Sequence, residues 1–157
     1  MALEIPSKPR GLLYLGFMVP RYLYCWHLGW LFGHRMLMIT HIGRKSGLWR
    51  QNVLEVVRYD PLTRECIVMA GYGVKSDWYR NIQARPAVEV QVGWQRYVPQ
   101  QRMLSCEETL RLLEEYRRHH PRLLRALMRV IGYSYDGSPE GLRALSRSLR
   151  GVAFRPQ

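Results

Sequence analysis

Two short stretches concentrate the residues that could do chemistry. "THIGRKSGLWR", residues 40–50, follows the apolar run "MLMI" and sets Arg44, Lys45 and Arg50 around Ser46, with Gly43 and Gly47 as its hinges. Glycines open backbone conformations closed to other residues and let a ligand approach the main chain. Backbone N–H groups, a serine hydroxyl and three cations in one small loop are chemistry for a phosphate. A solvated cationic hairpin is the other reading of the same residues. The loop matches neither G-x-x-x-x-G-K-[ST] nor G-x-G-x-x-G. The second stretch, "AGYGVKSDWYRN" (70–81), again runs strand, glycines, lysine, helix start. A helix beginning near Ser76 offers free N–H groups and a partial positive charge to an anion. Gly71 and Gly73 would let a flat ring lie on the backbone, and Trp78 and Tyr79 add aromatic surface. Core packing would equally account for Trp78, and a capping or surface role for Asn81.

Nothing points to a side-chain nucleophile. There is no G-x-S-x-G and no Ser–His–Asp arrangement. His119-His120 sits among arginines on what reads as a solvated helix face. His34 and His41 bracket a strand, which does not suit a metal site. Cys25, Cys66 and Cys106 form no C-x-x-C. An odd number at that spacing argues against a disulfide framework or a zinc site and fits a reduced, cytoplasmic protein. No metal is expected.

The elements that must hold these loops can be read from periodicity and punctuation. The chain has 157 residues, enough for one domain with a closed core. "RMLMITHI" (35–42), "QNVLEVVRY" (51–59) and "ECIVMAGY" (65–72) read as strands, with a turn at Asp60-Pro61. "SDWYRNIQ" (76–83) reads as a short helix with Ser76 as N-cap. "AVEVQV" (87–92) alternates as a half-buried strand should. After a turn at Gly93-Trp94, "QRYVPQQRML" (95–104) returns, with Pro99 marking an edge or bulge. Ser105 and Glu108 form a capping box for a helix over 105–120. A second helix over 121–132 starts at Pro121, a third runs from Ser138-Pro139 to about Arg150, and "GVAFRP" (151–156) is a last strand. The order predicts an α+β fold: a mostly antiparallel sheet, with closure into a barrel left open, and helices packed on it.

Net charge is +12, almost all from arginine, since lysine occurs only at positions 8, 45 and 75. Such a surplus favours an anionic partner, whether nucleic acid, membrane surface or phosphorylated small molecule. A GC-rich coding bias toward arginine is the plain alternative. Residues 1–34 form an N-terminal apolar segment that packs on the domain or lies on a membrane surface. Within it, residues 11–33 read as one or two short helices, with Pro20, Arg21, His27 and His34 breaking any run long enough to span a bilayer.

"ITHIGRKSGLWRQNVLEVV" followed by "VMAGYGVKSDWYRNIQARPAVEVQVG" resembles the deazaflavin-dependent nitroreductase family, whose members are split β-barrel oxidoreductases using coenzyme F420. The resemblance covers roughly residues 22–104 and runs more loosely to "VAFRP". It implies that Arg44, Lys45, Ser46, Gly47 and Arg50 bind the phosphate and acidic tail of the coenzyme. It implies that Ala70, Gly71, Tyr72, Gly73, Lys75, Trp78 and Tyr79, with Asn81 beside them, hold the deazaflavin ring. Where the family often has proline before its tryptophan, this chain has Ser76-Asp77. Tyr133 and Tyr135 lie in a region comparable to one where some members place tyrosines over the substrate. They are the candidates for donating a proton or hydrogen bond to the product.

The function that follows is hydride transfer from reduced F420 to a small or lipophilic electrophile: a quinone, an enone or a nitro compound. The apolar N-terminal segment would bring such an enzyme to the inner face of the cell membrane, where quinones reside. Two other readings stand beside it. A split-barrel protein could bind FMN through the same loop. A non-enzymatic protein could bind a cofactor, or nucleic acid through Arg111, Arg117, Arg118, Arg122, Arg125 and Arg129. Against the nucleic-acid reading, Glu107, Glu108, Glu114 and Glu115 dilute that patch and no nucleic-acid-binding motif is present.

Overall fold

The structure is a computed structural model; it describes residues 28–157 together with Leu23 and Trp26. Most of residues 11–33 therefore lie outside the described residues. Within that stretch Gly29–Phe32 forms a 3-10 turn.

Seven strands make one antiparallel sheet: β1 (Met36–Ile42), β2 (Trp49–Asp60), β3 (Glu65–Ala70), β4 (Glu89–Val92), β5 (Gln95–Tyr97), β6 (Pro99–Met103) and β7 (Arg150–Pro156). Their order across the sheet is β5-β4-β1-β2-β3-β7-β6. The two edge strands, β5 and β6, are separated in the chain by Val98 alone, so the chain itself bends the sheet round into a nearly closed barrel. Sequence reading had one strand over 95–104. Pro99 splits it, because a proline has no N–H for the ladder, and the chain leaves β4 for β7 at that point.

Residues 37–41 of β1 are all buried. Leu37 and Ile39 face the barrel core with Val68, Val90, Val152 and Phe154, and are joined there by Leu54 and Val56 of β2. Helix α1 (Asp77–Ala84) adds Trp78, Tyr79 and Ile82 to that core. Ser76 is its N-cap by position, but its side chain makes no capping hydrogen bond.

Three helices cover the outside of the barrel: α2 (Cys106–His119), α3 (Pro121–Ile131) and α4 (Pro139–Ser148). The capping box forms as the sequence predicts: the Glu108 N–H donates to Ser105 Oγ and the Ser105 N–H to Glu108 Oε2. Such caps fix where a helix begins. Pro121 stands in the first turn of α3, and Gly132, left-handed at φ 106°, ends it. Leu113, Leu124, Met128, Leu142, Leu145 and Leu149 form a second core between the helices and the sheet. The arginines of this region are partly engaged within the fold. Arg111 pairs with Glu107, and Arg117 donates to the Gly137 carbonyl.

Candidate functional site

The cationic loop is a tight turn between β1 and β2. The Gly43 N–H donates to the Leu48 carbonyl (2.8 Å), and the Gly47 N–H to the Gly43 carbonyl (2.8 Å). Gly47 is left-handed, at φ 67°. At Gly43 a Cβ would fall 2.5 Å from Ser46 Oγ, so a side chain there would displace the Ser46 hydroxyl from the turn. Ser46 Oγ accepts from the Leu48 N–H. Lys45 and Arg50 are exposed.

Arg44 behaves differently from its neighbours. Its backbone N–H and its Nη1 both donate to Asn81 Oδ1 (3.1 and 2.9 Å), and its Nη2 pairs with Asp77 Oδ1 at 3.2 Å. One guanidinium thus braces the loop against α1. The brace continues into the sheet. With Asn81 Oδ1 taken by Arg44, the amide Nδ2 faces His41 Nδ1 at 3.3 Å. His41 Nδ1 must accept there, so the proton sits on Nε2, which donates to Asn52 Oδ1 at 2.9 Å. The result is a polar chain, Asp77–Arg44–Asn81–His41–Asn52, joining both glycine loops to the two central strands. Burial pushes the His41 pKa down, with the nearby Arg50 charge acting in the same direction and the Asn52 hydrogen bond opposing. His41 is therefore the neutral, positioning member of the chain. Asn52 and His41 carried no signal as a pair in the sequence, because only strand pairing brings them together.

A cavity of about 1080 Å³ opens beside this brace. At one end it is lined by Lys45, Ser46, Arg50 and Arg44. In its middle lie Gly71, Tyr72, Trp78 and Asn81. Its far wall is apolar and built by α2 and α3, with Leu112, Leu124, Leu127, Met128 and Ile131. A Cβ on Gly71 would come 3.2 Å from Ile131 Cδ1, so glycine is what lets the strand-end loop and α3 meet across the cavity.

The remaining sequence-predicted residues, Gly47, Ala70, Gly73, Lys75, Tyr79, Tyr133 and Tyr135, do not line this cavity. Ala70 and Tyr79 are buried in the barrel core. Gly73 is buried in a 3-10 turn at φ 49°, with exposed Lys75 at its end. Gly47 shapes the cationic turn. Tyr133 and Tyr135 belong to the helical core; the Tyr133 hydroxyl has no hydrogen-bond partner among the described residues, and Arg117 is the cation beside the Tyr135 hydroxyl. Burial pushes the Tyr133 pKa up to about 12, so its hydroxyl stays protonated across the physiological range. Glu55 and Tyr116, which no motif marked, line the cavity. Among the described residues no group of three or more His, Cys, Asp and Glu side chains comes together.

Barrel and cavity together define a split-barrel protein whose groove is cationic and glycine-lined. Three solved structures share the fold. One is described as a domain-swapped dimer (20% identity, covering 78% of this chain and 81% of that one, TM-score 0.51). Another is an F420-H2 dependent reductase, FDR-A (21%, 77% and 94%, 0.50). The third is a pyridoxamine 5'-phosphate oxidase-related, FMN-binding protein of Nostoc punctiforme (16%, 98% and 83%, 0.51). No curated protein matches the sequence. Residues 27–129 match the F420H(2)-dependent quinone reductase family, and the chain belongs to it. The deazaflavin resemblance is thereby borne out, and the chain is an oxidoreductase of the F420-dependent kind.

Proposed function

We propose that the chain reduces a quinone-type acceptor, with enones and nitro compounds as further acceptors of the same electronic character. The observation that carries this is the single cavity that runs from a cationic loop to an apolar helical wall. Its size is ample for an elongated cofactor together with a small ring.

The residues present fit F420. Lys45 and Arg50, exposed at the cationic end, and the Ser46 hydroxyl would hold the phosphate and carboxylates of its tail. Gly71, Tyr72 and Trp78 would hold its ring. When bound, the deazaflavin supplies a hydride equivalent, and the protein contributes binding, orientation and exclusion of water. Arg44 keeps the loop in place through Asn81 and Asp77. Leu124, Leu127, Met128 and Ile131 offer the acceptor a dry surface. We also assign the protonated Tyr133 and Tyr135 hydroxyls, which lie in the helical core rather than in the cavity lining, as candidate donors to the product.

Among the described residues no helix is long and apolar enough to cross a membrane. Trp30 and Trp94 stack at 5.0 Å on the surface, with Leu31 exposed beside them. We propose that this face and residues 11–33 rest on a membrane surface; flotation with anionic vesicles, and its loss in Trp30→Ala/Trp94→Ala, tests that.

The deciding experiment is a fluorescence titration of the purified protein with F420 and, in parallel, with FMN. Binding of F420 that Lys45→Ala and Arg50→Ala weaken supports the assignment. Preference for FMN would keep the barrel and loop and change the redox class. Binding of neither would overturn the assignment.

A further inference from the structure

The apolar wall of the cavity is interrupted by one carboxylate. Side chains alternate along a strand. On β2, Leu54 and Val56 pack into the barrel core, so Glu55 is turned outward with Val53 and Val57, and all three line the cavity. Glu55 lies five residues beyond Arg50 along an extended strand, about 17 Å at the usual rise per residue. That places it away from the cationic loop and toward Tyr116 of α2.

Its surroundings are unusual for a carboxylate. Met36 is its cross-strand partner on β1, and Met69 on β3, Leu113 on α2 and Met128 on α3 line the same cavity. The titratable group facing it is the Tyr116 phenol of α2, whose pKa is pushed up by burial and by the Glu55 charge. The next charges, Arg58 and Glu115, pair with each other at 3.8 Å. Among the described residues Glu55 has no ion pair and no hydrogen bond. Glu55 is exposed, and partial desolvation by the protein atoms beside it raises its pKa, with no cation among the described residues pairing with it.

We propose that Glu55 is the proton-holding group of the acceptor end, donating from its carboxyl to the carbonyl oxygen of a quinone, with Tyr116 beside it as a second hydrogen-bond donor. The balance is simple. A quinone that gains a hydride equivalent carries a negative charge on oxygen. The O–H bond of Glu55 breaks, the O–H bond of the hydroquinone forms, and water at the mouth of the cavity returns a proton to the carboxylate. One hydride and one proton complete the two-electron reduction. A neutral carboxyl also suits this position because an ionised one would repel the oxyanion it serves. This inference rests on the quinone reading above.

The test uses menadione as the probe. Cofactor-free protein is titrated with menadione between pH 4.5 and 8, following quenching of tryptophan, since Trp49 and Trp78 line the cavity. The wild type should lose at least threefold in affinity as pH rises through the titration of Glu55. Glu55→Gln, which keeps a donor, should bind within threefold of the low-pH wild type and show no such slope. In the F420-loaded enzyme Glu55→Gln should lose at least tenfold in kcat with KM within threefold. Glu55→Asp, the closer variant should glutamine impair folding, should keep the pH slope. A wild type whose menadione affinity ignores pH, or a Glu55→Gln enzyme with unchanged kcat and pH profile, overturns the proposal. Failure to bind F420 would instead strike at the function itself, while the menadione titration would still report on Glu55.

Discussion

At the cationic end of the cavity polar groups are used up on one another. Arg44 spends its backbone N–H and both terminal nitrogens on Asn81 and Asp77, and Asn81 spends its remaining end on His41. At the apolar end polar groups are left over. Glu55, exposed to solvent, has no ion pair or side-chain hydrogen bond among the described residues, and in the helical core the Tyr133 hydroxyl is buried without a partner among them. A fully satisfied network is stiff, and suits a loop that must hold a charged tail in a fixed place. A carboxyl that only water satisfies is free to exchange that water for a ligand group. The comparison separates groups that build the site from groups that await something in it.

The largest expected effect is at the exposed cations. A hydrogen bond to a charged group contributes about 1.5–3 kcal/mol. Lys45→Ala and Arg50→Ala should therefore each weaken F420 binding roughly tenfold to a hundredfold. Added salt should weaken the wild type more than either variant. Fluorescence titration reads both, and the melting temperature should hardly move. If the tail were held by Arg44 instead, Arg44→Ala alone would abolish binding and these two would not.

Asn81→Ala should show the opposite signature. It takes the Asn81 partner from the Arg44 backbone N–H and Nη1 and from His41 Nδ1, leaving the contacts to Asp77 and Asn52, at a cost of about 1–3 kcal/mol. For a chain of this length that is a melting temperature lower by about 3–8 °C, read by calorimetry. Cofactor binding should weaken too, because the brace is gone. An unchanged melting temperature would mean that the chain of contacts does not stabilise the loop.

His41 makes the brace sensitive to pH. Its folded pKa lies below the ordinary value of 6.5, so below about that pH the unfolded chain binds more protons than the folded one. Stability from the neutral imidazole is complete above that value and is lost as pH falls toward the folded pKa. The carboxylates held below their usual range, Asp60, Glu108 and Asp136, also lose stability in acid. They are common to both proteins in a comparison of wild type with His41→Gln. The difference in melting temperature between the two should shrink as pH drops from 7 to 5.

The smallest structural effect belongs to the tyrosines. Tyr133→Phe removes a buried hydroxyl that has no partner, so stability should be unchanged or slightly raised. Turnover decides its role: Tyr133→Phe and Tyr135→Phe enzymes with full activity would remove both as donors.

The two ends also differ in how legible they were. The cationic end is written locally. Gly43 through Gly47 can form one turn, the following β-branched run must be a strand, and Ser105 with Glu108 must start a helix, because each rests on interactions within a few residues. Hence the loops, the strands and the α+β class could be read directly from residue order, and the resemblance that named Lys45 and Arg50 rests on contiguous motifs. Residues 95–104 show the limit. Pro99 announced an irregularity, but only the competition between β4 and β7 for that segment decided that it would be two strands and so close the barrel.

What tertiary structure alone decided is which polar groups meet. His41 and Asn52 are partners because β1 and β2 pair in one register; a slip by one residue would turn them to opposite faces. Arg44 looks in the sequence like Lys45 and becomes a brace only because α1 brings Asn81 and Asp77 against it. Glu55 reads as a surface residue of an alternating strand and stays exposed, but it lines a cavity because α2 and α3 supply other parts of its wall. Composition and spacing determine what each segment can be, since those preferences act over a few bonds. The pairing and charge state of individual side chains depend on neighbours distant in the chain, and only the packed fold supplies them.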